Sequence, residues 1–139
     1  MMVSKRNMYI VMAGTAILAV VAAIYTPTLF NWDSGDYGDV TVAEASNLIG
    51  DKPELVILDV RTQAEYDDGH IEGAVLIPVQ ELPDRLDELD KNDELLVYCR
   101  TGNRSVTAVE ILEEAGFTKI YHMDEGISTW ISEGYPVVQ

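Results

Sequence analysis

Apolar residues fall along this chain in short blocks of two kinds. The first kind is continuous over strand length. Leu55–Val60 reads LVILDV and Glu94–Tyr98 reads ELLVY. Unbroken apolar runs rich in branched residues suit parallel strands buried on both faces. Ala74–Ile77, closed by Pro78, and Lys119–Met123 are two shorter runs of the same character. The second kind recurs with a helical period. Leu82, Leu86 and Leu89 lie on one stripe of Gln80–Leu89, and Ser105–Ala115 alternates likewise before Gly116. Thr41-Val-Ala-Glu44 has capping-box spacing, so a helix should begin near Val42 and stop at Gly50. Gln63–Asp68 reads as a helical turn ended by Gly69, and Ile127–Glu133 as a final helix. Strands alternating with helices predict an α/β domain with a central, mainly parallel sheet flanked by helices in three layers.

One apolar block fits neither kind. Met8–Tyr25, MYIVMAGTAILAVVAAIY, holds no charge for 18 residues and follows Lys5 and Arg6. This is about the least length that spans a bilayer, and the flanking bases place the N-terminus on the cytoplasmic side. Two readings stay open. One is an uncleaved anchor holding an extracytoplasmic domain at the membrane through residues 8–25. The other is a signal peptide cut near Val21-Ala22-Ala23, leaving a secreted or periplasmic domain. Asn31–Asp39, NWDSGDYGD, has linker composition. The expected organisation is therefore a hydrophobic segment over 1–30, a linker over 31–40 and one domain over 41–139.

Charge narrows the partners. The formal net charge is −15, and all 24 acids lie at or beyond Asp33, facing 7 bases there. Such a surface repels nucleic acid and anionic headgroups. Any anion must be held locally, by a few placed arginines and backbone amides. The single cysteine, Cys99, excludes an internal disulfide. His70 and His122 show no ligand spacing with it, so neither a metal nor another cofactor is expected.

Cys99 ends an apolar run and precedes a helical pattern, in VYCRTGNRS. At such a junction the loop amides and the helix dipole favour thiolate, the nucleophilic form. Gly102 permits a tight turn. Arg100 and Arg104 add positive charge in a domain otherwise poor in arginine, and Ser105 either caps the helix or donates to the sulfur. A thiolate in this setting is a nucleophile toward an anion held by the same amides. The Cys99–Arg104 spacing is C-x4-R, one residue shorter than in cysteine phosphatases, and Tyr98 stands where those enzymes usually carry histidine. The smaller cradle suits a persulfide better than a phosphoryl group.

Three stretches in order carry a family resemblance. They are Leu58-Asp-Val-Arg61 with Glu65-Tyr66 and Gly69-His-Ile-Glu-Gly-Ala74, then CRTGNRS, then Gly126-Ile-Ser-Thr-Trp130 with Gly134-Tyr-Pro-Val137. Over residues 41–139 the chain resembles the single-domain rhodaneses, the thiosulfate sulfurtransferases. The resemblance implies that Cys99 attacks the outer sulfur of thiosulfate, releases sulfite and passes sulfur from its persulfide to cyanide or a thiol. It implies a cradle of Arg100, Thr101, Gly102, Asn103, Arg104 and Ser105, with both arginines meeting the sulfonate. Asp59 and Arg61 are expected to fix geometry by charge-assisted hydrogen bonds, and His70 to pin a loop. His122 reads as an ordinary strand residue and Trp130 as core. The family commonly has two glycines before its last helix, where this chain has Glu125-Gly126. On the pocket rim, Glu125 would oppose an anionic donor, so thiosulfate turnover should be weak and improve in Glu125→Gly. A thiol-borne sulfur donor would then fit better. Other readings are a membrane-tethered persulfide or polysulfide carrier serving a membrane-protein acceptor, a docking module, and a phosphatase or arsenate reductase, which C-x4-R and Tyr98 disfavour.

Overall fold

The computed structural model describes residues 37–139. The apolar segment read as an anchor or signal lies outside them, as does the linker up to residue 36. No helix among the described residues is long and apolar enough to cross a membrane.

The chain runs β1 (Gly38–Val40), α1 (Val42–Asp51), β2 (Val56–Asp59), α2 (Gln63–Asp68), β3 (Val75–Leu76), two 3-10 turns (Leu82–Asp84 and Leu86–Glu88), β4 (Leu95–Tyr98), α3 (Asn103–Glu114), β5 (Ile120–Met123) and α4 (Gly126–Ser132). The five strands form one sheet in the order β1-β5-β4-β2-β3, and every pairing is parallel. This is the α/β architecture that the alternating pattern predicts. The unbroken apolar runs became β2 and β4 because both are covered on two faces. Leu95 to Tyr98 are all buried.

Side-chain alternation on the strands divides the core in two. Leu96 and Tyr98 of β4 pack with Val42, Ala45 and Leu48 of α1 and Ile127 and Trp130 of α4. Leu95, Val97 and then Cys99 face the opposite layer, with Ala108 and Leu112 of α3 and Leu82 of the 3-10 segment. Cys99 thus stands on the α3 side of the sheet. Full burial of a leucine such as Leu112 is worth about 1.5–3 kcal/mol, so each layer holds its helix in place.

Both helices preceded by threonine begin with complete capping boxes. Thr41 Oγ1 accepts from the Glu44 amide, Thr62 Oγ1 accepts from the Glu65 amide, and each glutamate reaches back to the cap amide. α1 runs one residue past Gly50 and stops before Pro53, which cannot continue a helix.

Three elements differ from the sequence expectation. Gly38–Val40, assigned to the linker, is an edge strand paired with Tyr121–Met123. Its Gly-Asp composition has no strand signal, and β5 supplies the order. Gln80–Leu89 is not an α-helix but two 3-10 turns, because Pro83 lacks an N–H and Arg85 leaves the helical region at φ −123°. Its leucines still face inward, Leu82 fully. α3 begins two residues before Ser105, with Gly102 as its cap residue in the left-handed region.

Candidate active site

β4 delivers Cys99 to the carboxyl edge of the sheet, where open parallel sheets place their chemistry. The thiol is 1 % exposed. Its Sγ accepts from the Gly102 amide at 3.1 Å and lies 3.3 Å from Ser105 Oγ. Burial pushes the thiol up. The Ser105 hydroxyl and the amides of Ser105, Thr101 and Gly102 outweigh that and hold it below the ordinary cysteine range. Thiolate is the nucleophilic form of cysteine, so these donors favour the form that can attack.

The loop owes its shape to the turn before α4. Gly102 has φ +97° and Gly126 φ +69°. A Cβ on Gly102 would collide with the Asp124 carbonyl, and one on Gly126 with the Arg100 carbonyl. Bare glycines therefore let the two turns touch. The first amides of α4 then bind the loop: Ile127 N donates to Cys99 O at 2.9 Å and Ser128 N to Arg100 O at 3.0 Å. Sequence reasoning did not assign Gly126, Ile127 or Ser128 to the site. Their signal was the glycine of Glu125-Gly126.

The two loop arginines differ. The Arg100 side chain is exposed and has no ion-pair partner among the described residues. Arg104 is committed: its guanidinium forms two 2.7 Å bonds to Glu65 of α2. Those bonds, acting against burial and aided by Thr62, hold the Glu65 carboxyl down to about 2. The two arginines expected to meet a sulfonate thus stand in different settings. Arg104 ties the loop to α2 and attracts the thiolate through space, and of the two loop arginines Arg100 is the one without an ion-pair partner among the described residues. Thr101 and Asn103 are exposed, and Asn103 opens α3. Ser105 is not the helix cap. It is fully buried in the first turn, with Oγ also 2.9 Å from Gly102 O.

Asp59 and Arg61 form a buried ion pair at the end of β2. Arg61 binds both carboxylate oxygens through Nε and Nη2, and Nη2 also donates to Gly69 O at 2.8 Å. The pair braces the Gly69–His70 segment, not the cysteine loop. His70 lies flat on the Tyr66 ring, its Nδ1 2.9 Å from Tyr66 O, while its backbone exchanges two hydrogen bonds with Val138. It thereby joins α2 to the C-terminal strap. Trp130 is core, and its Nε1 donates to Pro136 O.

Two further expectations are revised. Glu125 is not a loose rim carboxylate, because its Oε2 accepts from the Val42 amide at 2.9 Å, which anchors its charge at the N-terminus of α1. His122 is not an ordinary strand residue. Its Nε2 lies 2.7 Å from Ser105 Oγ and its Nδ1 2.8 Å from Asp39 Oδ1. The signal for it was a histidine inside the otherwise apolar strand IYHM. No cluster of metal-ligating side chains occurs among the described residues.

A parallel five-stranded sheet with a cysteine loop at its carboxyl edge is an α/β architecture that comparison with known proteins assigns to a family. The model of the rhodanese-like domain matches residues 41–133, and the chain belongs to this family. It is 32 % identical over 93 residues to a sulfurtransferase of Allochromatium vinosum, covering 67 % of this chain and 87 % of that one. It is 41 % identical over 76 residues to the putative sulfur carrier protein YrkF of Bacillus subtilis, covering 55 % of this chain and 41 % of that longer protein. Its fold is similar to the crystal structure of a rhodanese-related protein from Thermoplasma volcanium, with TM-score 0.67, 36 % identity, and coverage of 73 % and 98 %.

Proposed function

We propose that this chain is a sulfurtransferase that carries sulfane sulfur as a Cys99 persulfide. The observation that carries the reading is the sulfur itself, held by the Gly102 amide and the Ser105 hydroxyl with its thiol pKa lowered. The thiolate attacks the outer sulfur of thiosulfate. The S–S bond of the donor breaks, sulfite leaves with the electron pair, and a Cys99 Sγ–S bond forms. A thiol or cyanide then takes the outer sulfur and restores the thiolate. The cradle amides stabilise the persulfide anion as they do the thiolate, and Arg100 receives the anionic end of the donor. The fold needs no cofactor for these steps.

A second reading is a persulfide carrier with little turnover of its own, which the likeness to the putative sulfur carrier YrkF favours. In either case we propose that residues 8–25 hold the domain at the outer face of a membrane, close to a membrane-protein acceptor. The charge-free run behind Lys5 and Arg6 supports this. A tether of this kind raises the local concentration of one partner about the other.

The test is intact mass spectrometry of the full chain after incubation with thiosulfate and then cyanide, with Cys99→Ser as control. A gain of one sulfur atom on the wild type alone, lost on adding cyanide, is expected. No gain with thiosulfate or polysulfide overturns sulfur transfer. Loading once without multiple turnover selects the carrier.

A further inference from the structure

The sulfur-transfer scheme leaves one buried titratable group unused. His122 on β5 is 6 % exposed and lies between Ser105 of α3 and Asp39 of β1. The chain Asp39 Oδ1, His122 Nδ1 and Nε2, Ser105 Oγ, Cys99 Sγ has steps of 2.8, 2.7 and 3.3 Å. Its inner end is the sealed thiol. Its outer end is Asp39, whose side chain is 73 % exposed. A groove lined by Asp39, Thr101, Asn103, Val106, His122 and Asp124 opens this end to solvent.

Counting hydrogens shows what the chain can do. Asp39 is a carboxylate and accepts only, so His122 Nδ1 carries a hydrogen. In neutral His122 the Nε2 lone pair then needs a donor, and Ser105 is its partner at 2.7 Å. Ser105 has one hydroxyl hydrogen but three neighbours that can accept it: His122 Nε2, Gly102 O and Cys99 Sγ. When Cys99 is a thiol and His122 is neutral, that hydrogen can serve Nε2, and Ser105 Oγ then accepts from the Cys99 S–H. Once Nε2 is protonated, it donates to Oγ, and the Ser105 hydrogen turns to the thiolate.

We propose that Asp39, His122 and Ser105 form a proton relay that takes the Cys99 thiol proton onto His122 and returns it. The S–H bond breaks as Ser105 Oγ gains that proton, and Ser105 passes its own hydrogen to Nε2. The products are a thiolate, an intact serine hydroxyl and an imidazolium held by Asp39. The net charge of the chain is unchanged, and no oxidant or co-reactant is needed. His122 is thus a positioning and proton-storing residue, and Asp39 sets its tautomer. The relay rests on the sulfur-transfer reading only in taking Cys99 as the nucleophile.

Other charges bear on the pair. Tyr37, Glu110, Glu113 and Asp124 line the openings beside His122. Arg104 faces Cys99, with the Asp59–Arg61 pair behind it. Arg104 favours the thiolate end of the relay.

The rate of Cys99 alkylation by iodoacetamide, measured on the full chain from pH 4 to 10, tests the relay without any sulfur donor. Its outcome is therefore separable from the sulfur-loading experiment. Two interacting sites titrate as a pair. The wild type should show two inflections, the lower in the imidazole range between about pH 5 and 8. His122→Asn keeps an amide donor toward Ser105 but cannot take a proton. It should show one inflection and alkylate about 3–10-fold more slowly at pH 6. Asp39→Asn, on the exposed edge strand, should move the lower inflection down by about half to one pH unit and serves if His122→Asn does not fold. NMR titration of His122 should show its pKa fall in Cys99→Ser, since the coupling is reciprocal. A single inflection at the same pH in the wild type and Asp39→Asn, with His122 titrating identically in Cys99→Ser, overturns the relay.

Discussion

Two neighbouring strands each end in a buried acidic group, and the fold treats the two oppositely. Asp59 ends β2 opposite Tyr98, and Cys99 follows Tyr98 on β4. Asp59 is fully buried and meets a guanidinium through both oxygens, with Arg61 N donating as well. Cys99 is as deeply buried but meets amides and one hydroxyl. A carboxylate matched by a whole counter-charge is inert and acts as a brace. A thiol whose direct partners are dipoles, with Arg104 acting only through space, can become a thiolate without being locked into an ion pair. The same edge of the sheet thus carries a braced carboxylate and a thiol held by dipoles, and the difference lies in what satisfies each group.

The sharpest test of the brace is Arg61→Met, which strands Asp59 in the interior. Stability to urea should fall by about 3–5 kcal/mol, while the alkylation rate of Cys99 in the folded protein stays within about threefold. A loss of reactivity without loss of stability would reverse the roles assigned to the two strand ends. Gly102→Ala attacks the other site. Its Cβ meets the Asp124 carbonyl in a backbone region that alanine disfavours, at a cost of about 1–3 kcal/mol. The displaced amide should raise the thiol pKa and slow alkylation at pH 7 about tenfold.

Glu65→Gln probes the tie between the loop and α2. Folding holds the Glu65 carboxyl near 2, below its ordinary 4.5. Its stabilisation is therefore complete above pH 4.5 and is lost as pH falls from there through about 2. With solvent screening at this partly exposed pair, the contribution is about 1–2 kcal/mol. Urea titrations between pH 2 and 5 should show an acid limb that is flatter in Glu65→Gln. An unchanged limb would mean that the Arg104 pair adds nothing. The smallest effect belongs to Glu125→Gly. The carboxylate is already engaged at the N-terminus of α1, so thiosulfate kcat/KM should change less than about twofold, with about 0.5–1 kcal/mol lost from the helix end. A fivefold or greater gain in turnover would put the charge back on the pocket rim.

The legible features were local. Capping spacing placed the start of α1 because threonine and glutamate three residues apart satisfy each other within one turn. Continuous apolar runs placed β2 and β4, and the cysteine between a strand and a helix marked the strand-to-helix junction that holds Cys99. The sequence by itself determined a parallel α/β sheet with a cysteine at its carboxyl edge. Tertiary structure decided the rest. Gly38–Val40 became a strand only through pairing with β5, 83 residues away. Arg104 found its ion-pair partner in Glu65, 39 residues before it. His122 gained its place beside Ser105 and Asp39, and Glu125 its place on Val42, from the adjacency of β1, β5 and α1. Polar contacts between distant segments leave no periodicity in the chain. Their partners are set by strand order and register, which hydrophobic burial establishes first.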